Sequence, residues 1–369
     1  MAASMASQSA RLAVIAATIS GSFIVDQARR SAQLAPRLDR STRERFGQPL
    51  PRCEILRRMS HRTSLPQLEG DLFLTDGGIE TSLIFHQGLD LPEFAAFVLL
   101  DRDEGLDQLR SYYEPYLALA RESGAGFVLE SPTWRASPGW AARLGVSPEK
   151  LDALNRRAIG LMEELRERAG DAPVVISGCV GPQGDGYRPT ELLSADAARE
   201  YHSTQIGIFG DTAADMVTAI TMTYADEAIG VTQAARDAEL PVVISFTLET
   251  DGRLPNGQGL REAIEEVDEA TGGAPSYYMI NCAHPTHFDD VLATDEAWRD
   301  RIRGLRANAS TMSHDELDEA EELDDGDPGD LGARYAALRS RLPNLNVVGG
   351  CCGTDVRHVA AIRDAWVHA

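Results

Sequence analysis

The chain has 369 residues, of which 43% are hydrophobic, and a formal net charge of −22 at pH 7. That length admits one large domain or two ordinary ones. So acidic a surface repels nucleic acid and anionic membranes, and it suits a cytoplasmic enzyme acting on small molecules.

Residues 1–58 differ from the rest. They carry ten arginines and four acids, Asp26, Asp39, Glu44 and Glu54. The apolar stretch from Leu12 to Val25 is too short to span a bilayer. It resembles a signal-peptide core, but only Arg11 precedes it and no small-x-small cleavage site follows. An Arg- and Ser-rich, acid-poor leader also has the composition of a transit peptide. Residues 1–58 thus read as a disordered or loosely attached N-terminal extension or, more simply, as an upstream, mis-assigned start with Met59 the true first residue; the folded domain spans 59–369.

From Leu72 onward, short apolar, β-branched runs alternate with helical periodicity. The runs are Leu72–Thr75, Phe127–Glu130, Val174–Ser177, Met216–Thr221, Val242–Leu248, Tyr278–Asn281, Leu305–Ala309 and Asn346–Gly349. Helical patterns cover Leu106–Glu122, Pro148–Ala169, Ala195–Ala213, Ala225–Ala238 and Leu260–Thr271. Strand-then-helix order implies a parallel sheet. Eight such units in about 300 residues fit a single-domain (β/α)8 TIM barrel. The alternative is an open doubly wound sheet. It lacks support because Asp76-Gly77-Gly78 is too short for a dinucleotide-binding turn.

In a barrel the chemistry sits at the C-terminal ends of the strands. Asp76-Gly77-Gly78 ends the first run. Backbone N–H groups there can hold a carboxylate, and Asp76 can hold an ammonium; the plainer reading is a capped βα turn. Ser177 to Gly184 follows the third run and is built of small residues, with nothing suited to acid–base work. Thr247, Glu249 and Asp251 follow the fifth, ahead of a loop with Gly252, Pro255, Asn256 and Gly257. The single lysine, Lys150, opens a helix, which removes a strand-end Schiff base from consideration. Ser313 to Asp330 is crowded with acids. Their continuity does not match an EF-hand, so the segment reads as a solvated, mobile insertion.

There are five cysteines. Cys179 reads as a small core residue, and an odd count without a secretory context argues against a disulfide framework. Cys282 ends the sixth run. Cys351 and Cys352 end the eighth, in Gly349-Gly350-Cys351-Cys352-Gly353. Glycines let the backbone turn there so that adjacent thiols converge. Three cysteine ligands with an open fourth position describe a catalytic zinc site. A rival ligand set is Cys282 with His284 and His287, which would leave the double cysteine without a role. His358 reads as a cap or packing residue on the last helix.

With Asp76-Gly77-Gly78, Asn281-Cys282 and Gly349-Gly350-Cys351-Cys352-Gly353 in place, the chain resembles the homocysteine S-methyltransferase family from about Leu72 to the C-terminus. Ser123 to Phe127, Ala136-Ser137 and Ser177 to Gly184 support the likeness. The resemblance implies that Cys282, Cys351 and Cys352 hold zinc. It also implies that the acceptor thiol, homocysteine, binds as a thiolate and takes a methyl from a small sulfonium or quaternary ammonium donor, S-methylmethionine or betaine in type, giving methionine. Such a reaction needs no general base. Asp76, Gly77, Gly78, Glu130 and Thr133 are the implied substrate contacts. One departure stands out. In the family the fourth strand ends in a glutamate that binds the homocysteine amine, eight residues before the alanine of a Glu-Ala pair. Here Glu227-Ala228 is present, but that position is Ile220. Glu130 is the expected replacement; alternatively the chain methylates another thiol, demethylates an onium compound, or binds zinc without catalysis. No segment reads as a dimerisation arm.

Overall fold

The computed structural model describes residues 61–293, 296–320 and 322–368. The N-terminal extension and the Met59 start lie outside them. Eight parallel strands close into a barrel in sequence order. They are β1 Phe73–Leu74, β2 Gly126–Glu130, β3 Val174–Val180, β4 Met216–Met222, β5 Val242–Thr247, β6 Tyr277–Asn281, β7 Ile302–Ala307 and β8 Val347–Gly350. Closure pairs Phe73 with Val347 and Leu74 with Val348. The long flanking helices are α1 Asp103–Ser123, α2 Pro148–Arg168, α3 Ala195–Gly210, α4 Ala225–Asp237, α5 Leu260–Thr271, α6 Pro328–Leu338 and α7 Val356–His368. The expected (β/α)8 barrel is the observed architecture. No helix among the described residues is long and apolar enough to cross a membrane.

Strand ends moved by up to three residues from the sequence reading. β3 runs on through Val180, and β7 begins at Ile302 rather than Leu305. Arg303 and Arg306 interrupt the apolar pattern of β7. Parallel strands covered on both faces usually read as unbroken apolar runs, so a charged residue inside one hides its boundaries.

The barrel interior is layered. Phe73, Val128, Val175, Met216, Val243, Tyr277, Met279 and Val347 form an apolar cluster with Leu65. Gln67, in the 3-10 turn Pro66–Glu69, lies against that layer and donates to the Tyr277 hydroxyl at 3.4 Å. Side chains alternate along a strand, so the next inward residues are Thr75, Glu130, Ser177, Thr218, Ser245, Asn281, Arg306 and Gly349. The deep layer is therefore apolar and the layer beneath the mouth polar. Gly304 has no side chain because Met279 fills its place; a Cβ there would meet Met279 Cγ at 2.3 Å.

The polar layer is mostly satisfied from within. Ser177 and Thr218 share a hydroxyl hydrogen bond of 2.8 Å. Asn281 Oδ1 accepts from Ser245 Oγ at 2.6 Å and from the Thr221 N–H at 3.0 Å, while its Nδ2 donates to Thr221 Oγ1. Thr221 has φ 67°, a left-handed backbone that a threonine adopts at a cost. Asn281 pins it from both sides.

The acidic segment carries local structure. Ser313 caps a short helix, His314–Glu319, in a capping box with Glu316. Asp325 pairs with Arg357 at 2.7 Å, and Asp327 caps α6. Asp315 and Asp330 likewise pair with Arg188 and Arg334.

Replacing Phe73, which is 1% exposed at the heart of the apolar layer, with alanine is expected to cost about 3–5 kcal/mol in urea unfolding.

Candidate metal centre and active site

Three strand ends carry the centre. Hydrogen bonds of the β6–β7–β8 ladder continue past the strands: Cys282 N–H donates to Arg306 O at 3.0 Å, Cys351 N–H to Ala307 O at 2.9 Å and Ala309 N–H to Cys352 O at 3.1 Å. The sulfur atoms of Cys282, Cys351 and Cys352 all lie within 4.8 Å of one another. This is the metal-competent group among the described residues. Cys282 has φ 53° and Gly353 φ 75°. Gly349 and Gly350 serve close packing instead. A Cβ on Gly349 would meet Thr75 Oγ1 at 2.0 Å, and one on Gly350 would meet Thr354 Oγ1 at 1.9 Å.

Cys282 and Cys351 are joined as a disulfide, with Cα atoms 5.4 Å apart, and Cys352 is free. Only the reduced protein offers three thiolates. Three soft sulfur donors at this spacing suit zinc. Burial pushes the Cys352 thiol up to about 11, against the hydrogen bond from Tyr187. A cation is thus what would draw this sulfur into the thiolate form near neutral pH. The rival histidines are otherwise engaged: His284 caps Pro285–Phe288, and His287 Nε2 meets Thr311 O at 2.9 Å. His358 pairs with Asp355 at the start of α7.

The Asp-Gly-Gly turn lies flush on the cysteine loop. A Cβ on Gly78 would meet Cys351 O at 2.5 Å, and one on Gly77 would meet Thr354 O at 2.7 Å. Gly78 N–H donates to Thr354 O. Asp76, expected to hold a substrate ammonium, is already paired within the protein. Its Oδ1 accepts from Arg306 Nη2 at 2.7 Å and its Oδ2 from the Tyr112 hydroxyl at 2.9 Å. Arg306 also donates from Nε to Gly350 O and from Nη2 to Gly77 O. Thr133 is buried and donates to Cys179 O at 2.7 Å, so its hydroxyl faces the protein.

Glu130 differs. It is 4% exposed, points into the barrel beside the Ser177 and Thr218 hydroxyls, and its Oε2 has no partner. Burial pushes its carboxyl up to about 7, against the Arg306 charge. Ile220 lies two residues before the end of β4, where the pairing with β5 is irregular, and its carbonyl accepts from the Trp134 indole N–H at 3.2 Å.

Two residues escaped the sequence reading. The Tyr187 hydroxyl lies 3.2 Å from Cys282 Sγ and 3.8 Å from Cys352 Sγ. His314 packs its ring on Tyr187 at 4.2 Å, meets Cys282 O at 2.8 Å and pairs with Glu249 at 3.1 Å. The available signal for Tyr187 was an amphipathic aromatic after the glycines of Gly184-Asp185-Gly186. His314 was masked by the acids around it.

A family model described as homocysteine S-methyltransferase matches residues 73–366. The chain belongs to this family. It is accordingly a methyltransferase. Its fold is similar to that of the homocysteine methyltransferase MmuM from Escherichia coli. The oxidized form gives a TM-score of 0.63 at 20% identity, covering 81% of this chain and 99% of that one. The metallated form gives 0.59 at 20% identity, covering 80% and 96%. No curated protein sequence matches the chain.

Because burial raises the folded pKa of Glu130 from 4.5 to about 7, the native state holds its proton more tightly than the unfolded chain. The associated stability is complete below the unfolded value and is lost as pH rises through 7. Glu130→Gln is therefore expected to stabilise the protein at pH 8 by roughly 1–3 kcal/mol and to leave it unchanged at pH 4, in urea titrations at both.

Proposed function

We propose that this chain is a zinc-dependent S-methyltransferase that moves a methyl group from a small onium donor, of the S-methylmethionine or betaine type, to the thiol of homocysteine, giving methionine. The observation that carries the reading is the convergence of Cys282, Cys351 and Cys352 within 4.8 Å at the barrel mouth. Bound by these three, zinc would supply the positive charge that keeps an incoming alkyl thiol, pKa about 8.5 in water, in its thiolate form.

The chain's own residues do the rest. Glu130, whose Oε2 has no partner inside the barrel, takes the acceptor's ammonium in place of the glutamate missing at Ile220. Asp76 acts indirectly, by fixing Arg306 and hence the backbone at Gly77 and Gly350. The polar layer and the apolar Ile220 bound the space in which the acceptor lies, and the loops above it exclude water. In the transfer, the acceptor sulfur forms a new S–C bond with the methyl carbon as the donor's bond from that carbon to sulfur or nitrogen breaks. The bonding pair stays on the donor heteroatom, which becomes neutral, and the acceptor's thiol proton is lost to solvent. Holding the two reactants in line supplies much of the rate. The substrates are free small molecules, and we place the reaction in the cytoplasm.

Ile220 favours a second reading, in which the acceptor is a thiol without an amine. Calorimetric titration into the reduced, zinc-loaded protein separates the two. L-homocysteine is expected to bind at least about tenfold more tightly than 4-sulfanylbutanoate, which lacks the amine, as loss of a charge-assisted hydrogen bond costs roughly 1.5–3 kcal/mol. Equal binding would replace homocysteine with the second reading. Cys352→Ala is expected to abolish both zinc content and turnover; retained turnover would refute the zinc mechanism.

A further inference from the structure

The loops above the barrel hold a cation and an anion that the assignments above leave unused. Arg135 lies on the turn after β2. Its guanidinium sits over the Trp140 ring at 3.9 Å and the Trp134 ring at 4.7 Å, and Nη1 donates to the Glu93 carbonyl. The group is thus held in one orientation. Its Nε is buried without a partner, and its Nη2 has no hydrogen bond among the described residues. Nε and Nη2 share one edge of the guanidinium, which is an edge that a carboxylate grips with two parallel hydrogen bonds. An orphaned, buried N–H is costly, so a site that keeps one is built to have it filled.

Glu80 lies in the first turn after Gly78. Its neighbour Thr81 accepts from the Gly353 N–H at 3.2 Å, which sets Glu80 beside the double cysteine. The carboxylate forms no ion pair among the described residues, although the charges of Arg135 and Glu80 act on each other. Trp134 is fixed by its bond to Ile220 O and by Gly181, where a Cβ would meet the Trp134 carbonyl at 2.3 Å. Tyr187 reaches the sulfurs of Cys282 and Cys352. Aromatic faces beside a carboxylate attract an onium centre, and a stacked guanidinium attracts a carboxylate.

We infer that Arg135 and Glu80 form the recognition site for the zwitterionic methyl donor. The Nε/Nη2 edge of Arg135 takes its carboxylate. Glu80, with the rings of Trp134 and Tyr187, takes its sulfonium or quaternary ammonium centre on the side facing the three cysteines. This assignment rests on the methyltransferase reading above, in which the acceptor occupies the barrel interior with Glu130.

The test is steady-state kinetics of the reduced, zinc-loaded wild type and of Arg135→Gln, Arg135→Lys and Glu80→Gln. S-methyl-L-methionine and glycine betaine are the donors and L-homocysteine is the acceptor, with zinc content measured alongside. Donor KM is expected to rise by about tenfold or more in Arg135→Gln and Glu80→Gln, the scale of one lost charge-assisted contact. Arg135→Lys should recover part of the loss, because it restores the charge and not the fork. Homocysteine KM and zinc content should stay within about twofold of the wild type. An unchanged donor KM in zinc-replete Glu80→Gln and Arg135→Gln, or a rise confined to homocysteine KM, would overturn the inference while leaving the methyltransferase reading intact. Failure of the wild type to use either donor would remove the donor part of that reading and this inference together, and would be seen before any variant is made.

Discussion

One buried guanidinium organises the mouth of this barrel. Arg306 reaches inward from β7 and bonds at once to Asp76, to Gly77 O and to Gly350 O. It therefore ties the turn after β1 to the end of β8, across the seam where the barrel closes. The guanidinium thus holds the β8 end, while the β7 backbone holds both cysteine-bearing ends. The Cys351 N–H is held by β7 one residue along, and the Cys282 N–H by the Arg306 carbonyl itself. Burial disfavours both charges of the Arg306–Asp76 pair. They persist because each is matched by the other and by further hydrogen bonds. Such a pair adds little net stability relative to apolar packing, but loss of one member leaves the other stranded, at roughly 3–5 kcal/mol. Its value here is positional.

That constraint explains how the barrel separates stability from chemistry. The deep layer of Phe73, Val128, Met216, Tyr277 and their neighbours holds the strands together. The layer above is polar, and nearly every group in it answers to another. Ser177 answers Thr218, and Asn281 answers Ser245 and Thr221. Against so complete a network, the unpartnered atoms stand out. Among them are Glu130 Oε2, inside the barrel, and Arg135 Nε, on the loops above. In the proposed reaction these two atoms are where the acceptor and the donor bind.

The cover over the sulfurs comes from sequence-distant pieces. Tyr187 follows β3, Glu249 follows β5 and His314 belongs to the acidic segment after β7. Their contacts form a chain from Glu249 through His314 to the Tyr187 ring. The Arg188–Asp315 ion pair reinforces it from outside. Acids that look like a solvated run in sequence thus help to hold the aromatic group that touches the cysteines.

The sequence by itself determined the barrel and picked out the three cysteines that meet at its mouth. Alternating apolar runs and helical periods are local properties, set by which faces must be buried. Two adjacent cysteines among glycines, and a third at another strand end, carry their chemistry in their identity and in the order of the strands. What only the tertiary structure decided is who partners whom. Asp76 looked free to hold a substrate ammonium, because nothing near it in sequence shows that Arg306, 230 residues on, neutralises it. Thr133, expected as a substrate contact, donates its hydroxyl to the Cys179 carbonyl. The Cys282–Cys351 bond spans 69 residues, and Tyr187 meets sulfurs supplied by two different strands. Charge pairing and hydrogen-bond satisfaction are properties of a closed three-dimensional set. They become visible only when the barrel has brought its strand ends together.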